Sequence, residues 1–185
     1  YAPLSGTGTN VGLTNNTLSS ALPIGFNFNF YCNTYSQFYI SDNGFITFSN
    51  SSGSGCCSGA VLPSVANPNN LIALAWGDLN PVLGGSIQYF TTGTTPNRKL
   101  IVNYIDVPHS TGVDSVTAQL ILSETTNNIE IHLARVKGNN GNHTLGIENI
   151  SGSLSLTAPN KNGTPWIATN EAFLFSNTPT ITWYN

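Results

Sequence analysis

The sequence predicts an all-β chain: an antiparallel, jelly-roll-like β-sandwich with very little helix. Three observations lead there. Apolar residues recur at every second position over many short runs. Clusters of Gly, Asn, Asp and Pro separate those runs at short intervals. No window shows the apolar period of about 3.6 that a helix would impose. Many short strands joined by turns favour a sandwich over alternating βαβ units.

The elements follow in order. Tyr1 to Ser20 is rich in Gly, Thr, Asn and Ser and reads as a loosely held arm or edge strand, with Val11 and Leu13 alternating. Leu22 to Phe48 is a three-strand meander and the expected nucleus of the core. In its first strand Ile24, Phe26, Phe28 and Phe30 alternate with Gly25, Asn27 and Asn29, which puts the large apolar groups on one face. Tyr35 to Ser41 is the second strand, with Phe38 and Ile40 inward and Tyr39 outward. Asp42-Asn43-Gly44 supplies residues that tolerate positive φ, a strong hairpin signal. Phe45 to Phe48 returns.

Ser49 to Gly59 and Pro63 to Asn70 are loops by composition. Leu71 to Trp76 is unbroken apolar sequence, which fits a central strand covered on both faces with Trp76 in the core. Further strands are expected at Ser86–Thr91, Lys99–Ile105, Ser115–Ser123, Ile129–Arg135, Thr144–Glu148, around Leu154 and Leu156, at Ala172–Phe175 and at Thr180–Tyr184. Pro159 to Ala168 reads as a loop. Phe26, Phe28, Phe30, Phe38, Ile40 and Leu74 are the expected core.

A chain of 185 residues fits one domain, 1–185. It contains no Met, so it is expected to be a segment excised from a larger secreted protein. Charged residues are only 7%, against about 25% in ordinary globular domains. Asn, Ser, Thr and Gly must therefore cover the surface. With 5 Lys plus Arg and a net charge of −3, a nucleic-acid footprint is excluded. No apolar run approaches the ~20 residues of a membrane span, so no membrane insertion is expected.

The three cysteines, Cys32, Cys56 and Cys57, lack a histidine at zinc-ligand spacing. Beside an uncharged surface they suggest an oxidising compartment. A disulfide from Cys32 to Cys56 or Cys57 is expected, with three thiols or a vicinal bridge as alternatives.

The meander, the run from Asn70 to Leu79 and the segment from His143 to Asn149 carry a resemblance. Gly25–Tyr31 matches G-F-x-F-x-F-Y. Ser41–Phe48 matches S-x-N-G-F-I-x-F, and Asn70–Leu79 matches N-x-I-A-x-x-W-x-D-L. His143–Asn149 matches H-x-x-G-I-E-N, and Ala168–Phe175 matches A-T-N-x-A-F-x-F. Together these resemble a β-sandwich module of secreted or cell-surface Bacteroidota proteins of the kind exported by type IX secretion. The first half is loosely similar to nidogen-type extracellular domains. The resemblance implies a module of large exported proteins, adhesins or polysaccharide-degrading enzymes, and it implies no catalytic residue set.

The residues then suggest a non-catalytic extracellular binding module. Its expected partner is a glycan or other cell-surface polymer, held by aromatic rings and by Asn, Ser, Thr and Asp hydrogen bonds at one sandwich end. A ring with a polar tip can stack on a sugar while bonding its rim. Trp166 and Tyr39 are the leading rings, with Tyr35 beside a turn and Lys161 near Trp166. The alternative for Trp166 is a plug in the sandwich end. Asp78 and Asn80 are candidate calcium ligands at a strand end, with ordinary turn chemistry as the alternative. His109, His132 and His143 are expected at the surface or in loops. Two further readings are kept: a structural or adhesin unit that self-associates through edge strands or the N-terminal arm, and a glycoside hydrolase, which needs two carboxylates across a groove.

Overall fold

The computed structural model describes residues 1–50, 53–112, 114–138 and 141–176. Its strands are β1 (Thr9–Asn10), β2 (Leu22–Phe30), β3 (Asn33–Ser41), β4 (Phe45–Thr47), β5 (Leu71–Trp76), β6 (Ser86–Thr92), β7 (Lys99–Pro108), β8 (Ser115–Ser123), β9 (Ile129–Val136), β10 (His143–Glu148), β11 (Ser155–Thr164) and β12 (Ala168–Phe175). One 3-10 turn, Pro81–Leu83, is the only helical element among the described residues. The strands form two six-stranded antiparallel sheets. Sheet A runs β1-β6-β7-β8-β9-β12 and sheet B runs β11-β10-β5-β4-β3-β2. The expected sandwich is the observed fold. The strand expected at Thr180–Tyr184 lies outside the described residues.

The core condenses where the alternation placed it. Ile24, Phe26, Phe28 and Phe30 of β2 are buried, as are Phe38 and Ile40 of β3 and Leu74 of β5. They meet Leu100, Val102 and Tyr104 of β7, Leu120 of β8 and Leu133 of β9. All six residues of β5 are buried. Their second face is covered by a smaller cluster in which Phe45, Leu62, Leu71, Ala73 and Trp76 pack together. Trp76 thus lies on the outer side of sheet B, where its indole N–H donates to the Gly55 carbonyl at 2.8 Å.

β11 corrects an expectation, because Pro159 to Thr164 continues a strand. It tolerates Pro159 because it is an edge strand and need not donate on its free side. Asn160 and Gly163, both at positive φ, accommodate the register breaks against β10.

β2 is the other edge of sheet B. Gly25, at φ +91°, breaks its register with β3 and bends it toward sheet A. Side chains from sheet A and its turns then bind the β2 backbone. Thr91 Oγ1 donates to the Ile24 carbonyl at 2.8 Å, the Arg98 guanidinium donates to the Gly25 carbonyl, and Asn127 Oδ1 accepts from the Asn29 N–H at 2.8 Å. The edge is therefore covered rather than open.

The cysteines also depart from expectation. Cys56 and Cys57 form a close pair with each other, and Cys32 is an exposed free thiol. The length of β3 explains it. Cys32 precedes β3, whereas Cys57 contacts Asn16, whose N–H binds Asp42 just beyond the other end of β3. Nine residues at about 3.3 Å each separate the two places, far beyond the roughly 4.4–6.8 Å Cα separation that a disulfide spans.

Candidate functional site

The sandwich has two chemically different ends. Register defines them: Tyr39, Thr47, Leu71 and Glu148 lie toward one, and Ser41, Trp76 and His143 toward the other.

At the first end the sheets part around a groove of about 590 Å³. Phe30, Ile129, Ile147, Leu156 and Phe175 form its apolar lining, and Asn29, Tyr31, Cys32, Asn127 and Ser176 complete it. Among the described residues no charged side chain lines it. The β2–β3 turn shapes one wall, where Tyr31 and Cys32 are both held at positive φ, 45° and 64°. Such conformations are costly for residues with side chains and concentrate at functional positions. Asn33 Nδ2 braces the turn by donating to the Tyr31 carbonyl at 3.1 Å. The Tyr31 ring meets Phe30 edge to face, with centroids 4.9 Å apart. Burial, and then the nearby Glu148 charge, push the Tyr31 phenol above its ordinary pKa, so it stays a neutral donor. Thr34 Oγ1 donates to Asn29 Oδ1 at 2.6 Å, which orients that amide on the rim.

The residues singled out from sequence do not gather into one site. Tyr35 lies toward this first end, half-buried, stacked on Phe48 with centroids 4.6 Å apart and bonded to the Asn70 amide. Tyr39 is half-buried rather than free. Trp166 and Lys161 lie toward the opposite end. Trp166 is only 9% exposed; its indole N–H donates to the His143 carbonyl at 3.0 Å. Lys161 Nζ sits 4.4 Å from the Trp166 ring and 3.2 Å from a Glu171 oxygen, and it too is buried. Trp166 therefore plugs the sandwich end, and neither it nor Lys161 offers a free face to a ligand.

Asp78 bonds a distant hydroxyl and Asn80 caps a turn. Ser110 Oγ donates to Asp78 Oδ1 at 2.6 Å, and Asn80 Oδ1 accepts from the Val82 N–H at 3.0 Å as the cap of the 3-10 turn. Among the described residues no group of three or more His, Cys, Asp or Glu side chains is placed to hold a metal.

The three histidines, expected at the surface or in loops, are buried. His132 points outward from β9, as the alternation implies, but Tyr1 of the N-terminal arm covers it, with ring centroids 5.7 Å apart. His109 and His143, far apart in sequence, meet inside the plugged end with centroids 5.0 Å apart, and Trp166 packs on His143. Burial, followed by the charge of His109, holds His143 down at about pKa 4. Burial lowers His109 as well. Asp42, the expected turn residue, is fully buried beside this end. Burial raises it to about 7, although its carboxylate accepts the N–H groups of Asn16 at 2.7 Å and Thr17 at 3.0 Å.

The groove was not found from sequence, because its walls come from five strands and two turns. Its one local signal was the aromatic run ending at Tyr31 and Cys32. No helix among the described residues is long and apolar enough to cross a membrane. Comparison with curated proteins and with solved structures returned no significant match. The family model described as NIDO related matches residues 1–183, and domains of this kind are typically extracellular. Near-complete coverage of the chain by that model, on a two-sheet β-sandwich, places the protein in the NIDO-related family.

Proposed function

We propose that the chain is a non-catalytic extracellular module that binds a glycan in the groove between Tyr31 and Asn127. The observation that carries this reading is the groove itself: about 590 Å³, apolar inside, rimmed by amides, a phenol and a hydroxyl, with no charged side chain among its described lining residues. Its size falls in the range of small-ligand sites, roughly 300–1,000 Å³. A sugar ring presents an apolar face and a hydroxyl rim, which that lining complements. A glycosidase would need two carboxylates across the groove, and its described lining carries none. The motif resemblance to Bacteroidota cell-surface proteins supports an adhesin or an enzyme-appended setting.

A glycan array followed by calorimetry on the hits tests the reading. Tyr31→Ala and Asn29→Ala should each weaken binding about fivefold or more, on the order of 1 kcal/mol, while the melting temperature shows that the fold persists. A bulky maleimide on Cys32 should block the groove. Raising salt from low to high should leave affinity nearly unchanged, because no ion pair contributes. Steep loss with salt, or an empty array, would remove the glycan reading.

A second reading, a building block of a surface assembly, is favoured by one observation: the N-terminal arm lies as a separate strap across sheet A.

A further inference from the structure

The outer face of sheet A carries two cross-strand rows. Phe90, Ile101, Ile121 and Glu130 pair in one, and Gln88, Asn103, Gln119 and His132 in the next. Ile101 and Ile121 are fully buried, yet neither belongs to the core between the sheets. The N-terminal arm accounts for this. It leaves the sheet edge at β1, presses Gly8 and Gly6 onto Gln88 and Phe90, and reaches Gln119 with Leu4 and His132 with Ala2. Between Phe90 on β6 and Gln119 on β8 its path crosses β7, the strand that carries Ile101.

Two features show how this face of sheet A holds the arm. The Gln119 amide grips the backbone of Leu4 from both sides: Oε1 accepts the Leu4 N–H at 2.7 Å, and Nε2 donates to the Leu4 carbonyl at 2.8 Å. Asn103 Oδ1 accepts from the same Nε2 at 2.8 Å and so fixes the amide's orientation. This grip reads extended backbone, not a side chain. The glycines supply the sequence requirement. A Cβ on Gly6 would stand 2.5 Å from the Phe90 ring, and one on Gly8 would stand 3.0 Å from Gln88 Cβ and 3.1 Å from the Tyr89 carbonyl.

The arm is held by few contacts along its length. Most of Tyr1 to Asn10 is exposed; the arm is anchored at β1 and by the Val11 N–H, which donates to the Ile87 carbonyl at 2.9 Å, and the chain then turns at Gly12, at φ +65° with open space around it. Whether the arm comes from the same chain or a neighbour, its contacts in the groove are the same.

We propose that this face of sheet A is a receptor groove for an extended chain, and that its partner is residues 1–8 of a second copy of this protein, which displaces the chain's own arm. The tethered arm competes at about millimolar effective concentration, so exchange is favoured where copies are crowded.

The test uses the full chain and an N-acetylated, fluorescent peptide of residues 1–11 as the second copy's arm. Gly6→Val unseats the tethered arm and leaves the groove intact; hydrogen exchange at Leu4 reports its release. If Phe90 swings aside and Leu4 stays protected, Gly6→Val/Gly8→Val replaces it, because the second Cβ meets backbone. The unseated chain should bind the peptide at least tenfold more tightly than wild type does. Adding Gln119→Ala should lose at least tenfold, and a peptide carrying Gly6→Val should not bind. Binding no better than wild type, or equal binding of a scrambled peptide, overturns the proposal.

Discussion

Two buried titrating groups set an opposed pH dependence. Asp42 holds its proton more tightly in the folded state, at about 7 against an ordinary 3.8. Its contribution to stability is complete below about pH 4 and is lost as pH rises through 7. His143 holds its proton less tightly, at about 4 against 6.5. Its contribution is complete above pH 6.5 and is lost as pH falls through 4, and His109 adds to it in the same sense. Between pH 4 and 6.5 the two slopes offset each other. Urea unfolding across that window should show Asp42→Asn gaining stability with rising pH and His143→Gln losing it. Parallel curves for both variants would contradict these assignments. Trp166 belongs at the same scale. Since its ring fills the plugged end and its N–H is bonded inside, Trp166→Ala should cost about 3–5 kcal/mol of unfolding free energy. A variant as stable as wild type would show that the ring packs loosely.

At the scale of elements, the β3–β4 hairpin ties three parts of the chain together. Gly44 sits at φ +83°, and a Cβ there would stand 2.5 Å from the Ala75 carbonyl. Its own carbonyl accepts from both the Leu74 and Ala75 N–H groups, and Asn43 Oδ1 accepts from the Leu79 N–H at 2.9 Å. The turn therefore positions β5 as well as reversing the chain. Gly44→Ala should destabilise by about 1–3 kcal/mol through backbone strain, with further loss from displacing β5. Denaturant melts would check it, and a cost below a few tenths of a kcal/mol would mean the hairpin relaxes freely. The Asp-Asn-Gly signal was legible as a turn. That Asn43 and Gly44 also hold β5 was not, since Leu79 lies 36 positions away.

Across the whole molecule, neutrality and closure go together. With so few charged groups, the surface relies on Asn, Ser and Thr, and several of those side chains seal strand edges and rims: Thr91 and Asn127 on β2, Asn29 and Thr34 at the groove. Loops cover the outer face of sheet B, and the N-terminal arm crosses that of sheet A. Among the described residues the sheets leave a groove behind Tyr31, opposite the end that Trp166 closes.

The sequence by itself determined the sandwich, most strand positions and the buried face of the meander, because alternation and turn chemistry act between near neighbours along the chain. It also determined the uncharged exterior. Only the tertiary structure decided which polar and aromatic residues are free. Trp166, Lys161 and the three histidines read as loop or surface residues; Trp166 and the histidines meet segments distant in sequence, and Lys161 is enclosed by Trp166, Glu171 and Phe173. Cys32 read as the partner of Cys56 or Cys57, and the length of β3 keeps it from both. The groove exists only where strand ends from both sheets fail to meet. Burial and proximity are set by which strands become neighbours, and that follows from the packing of two sheets as a whole.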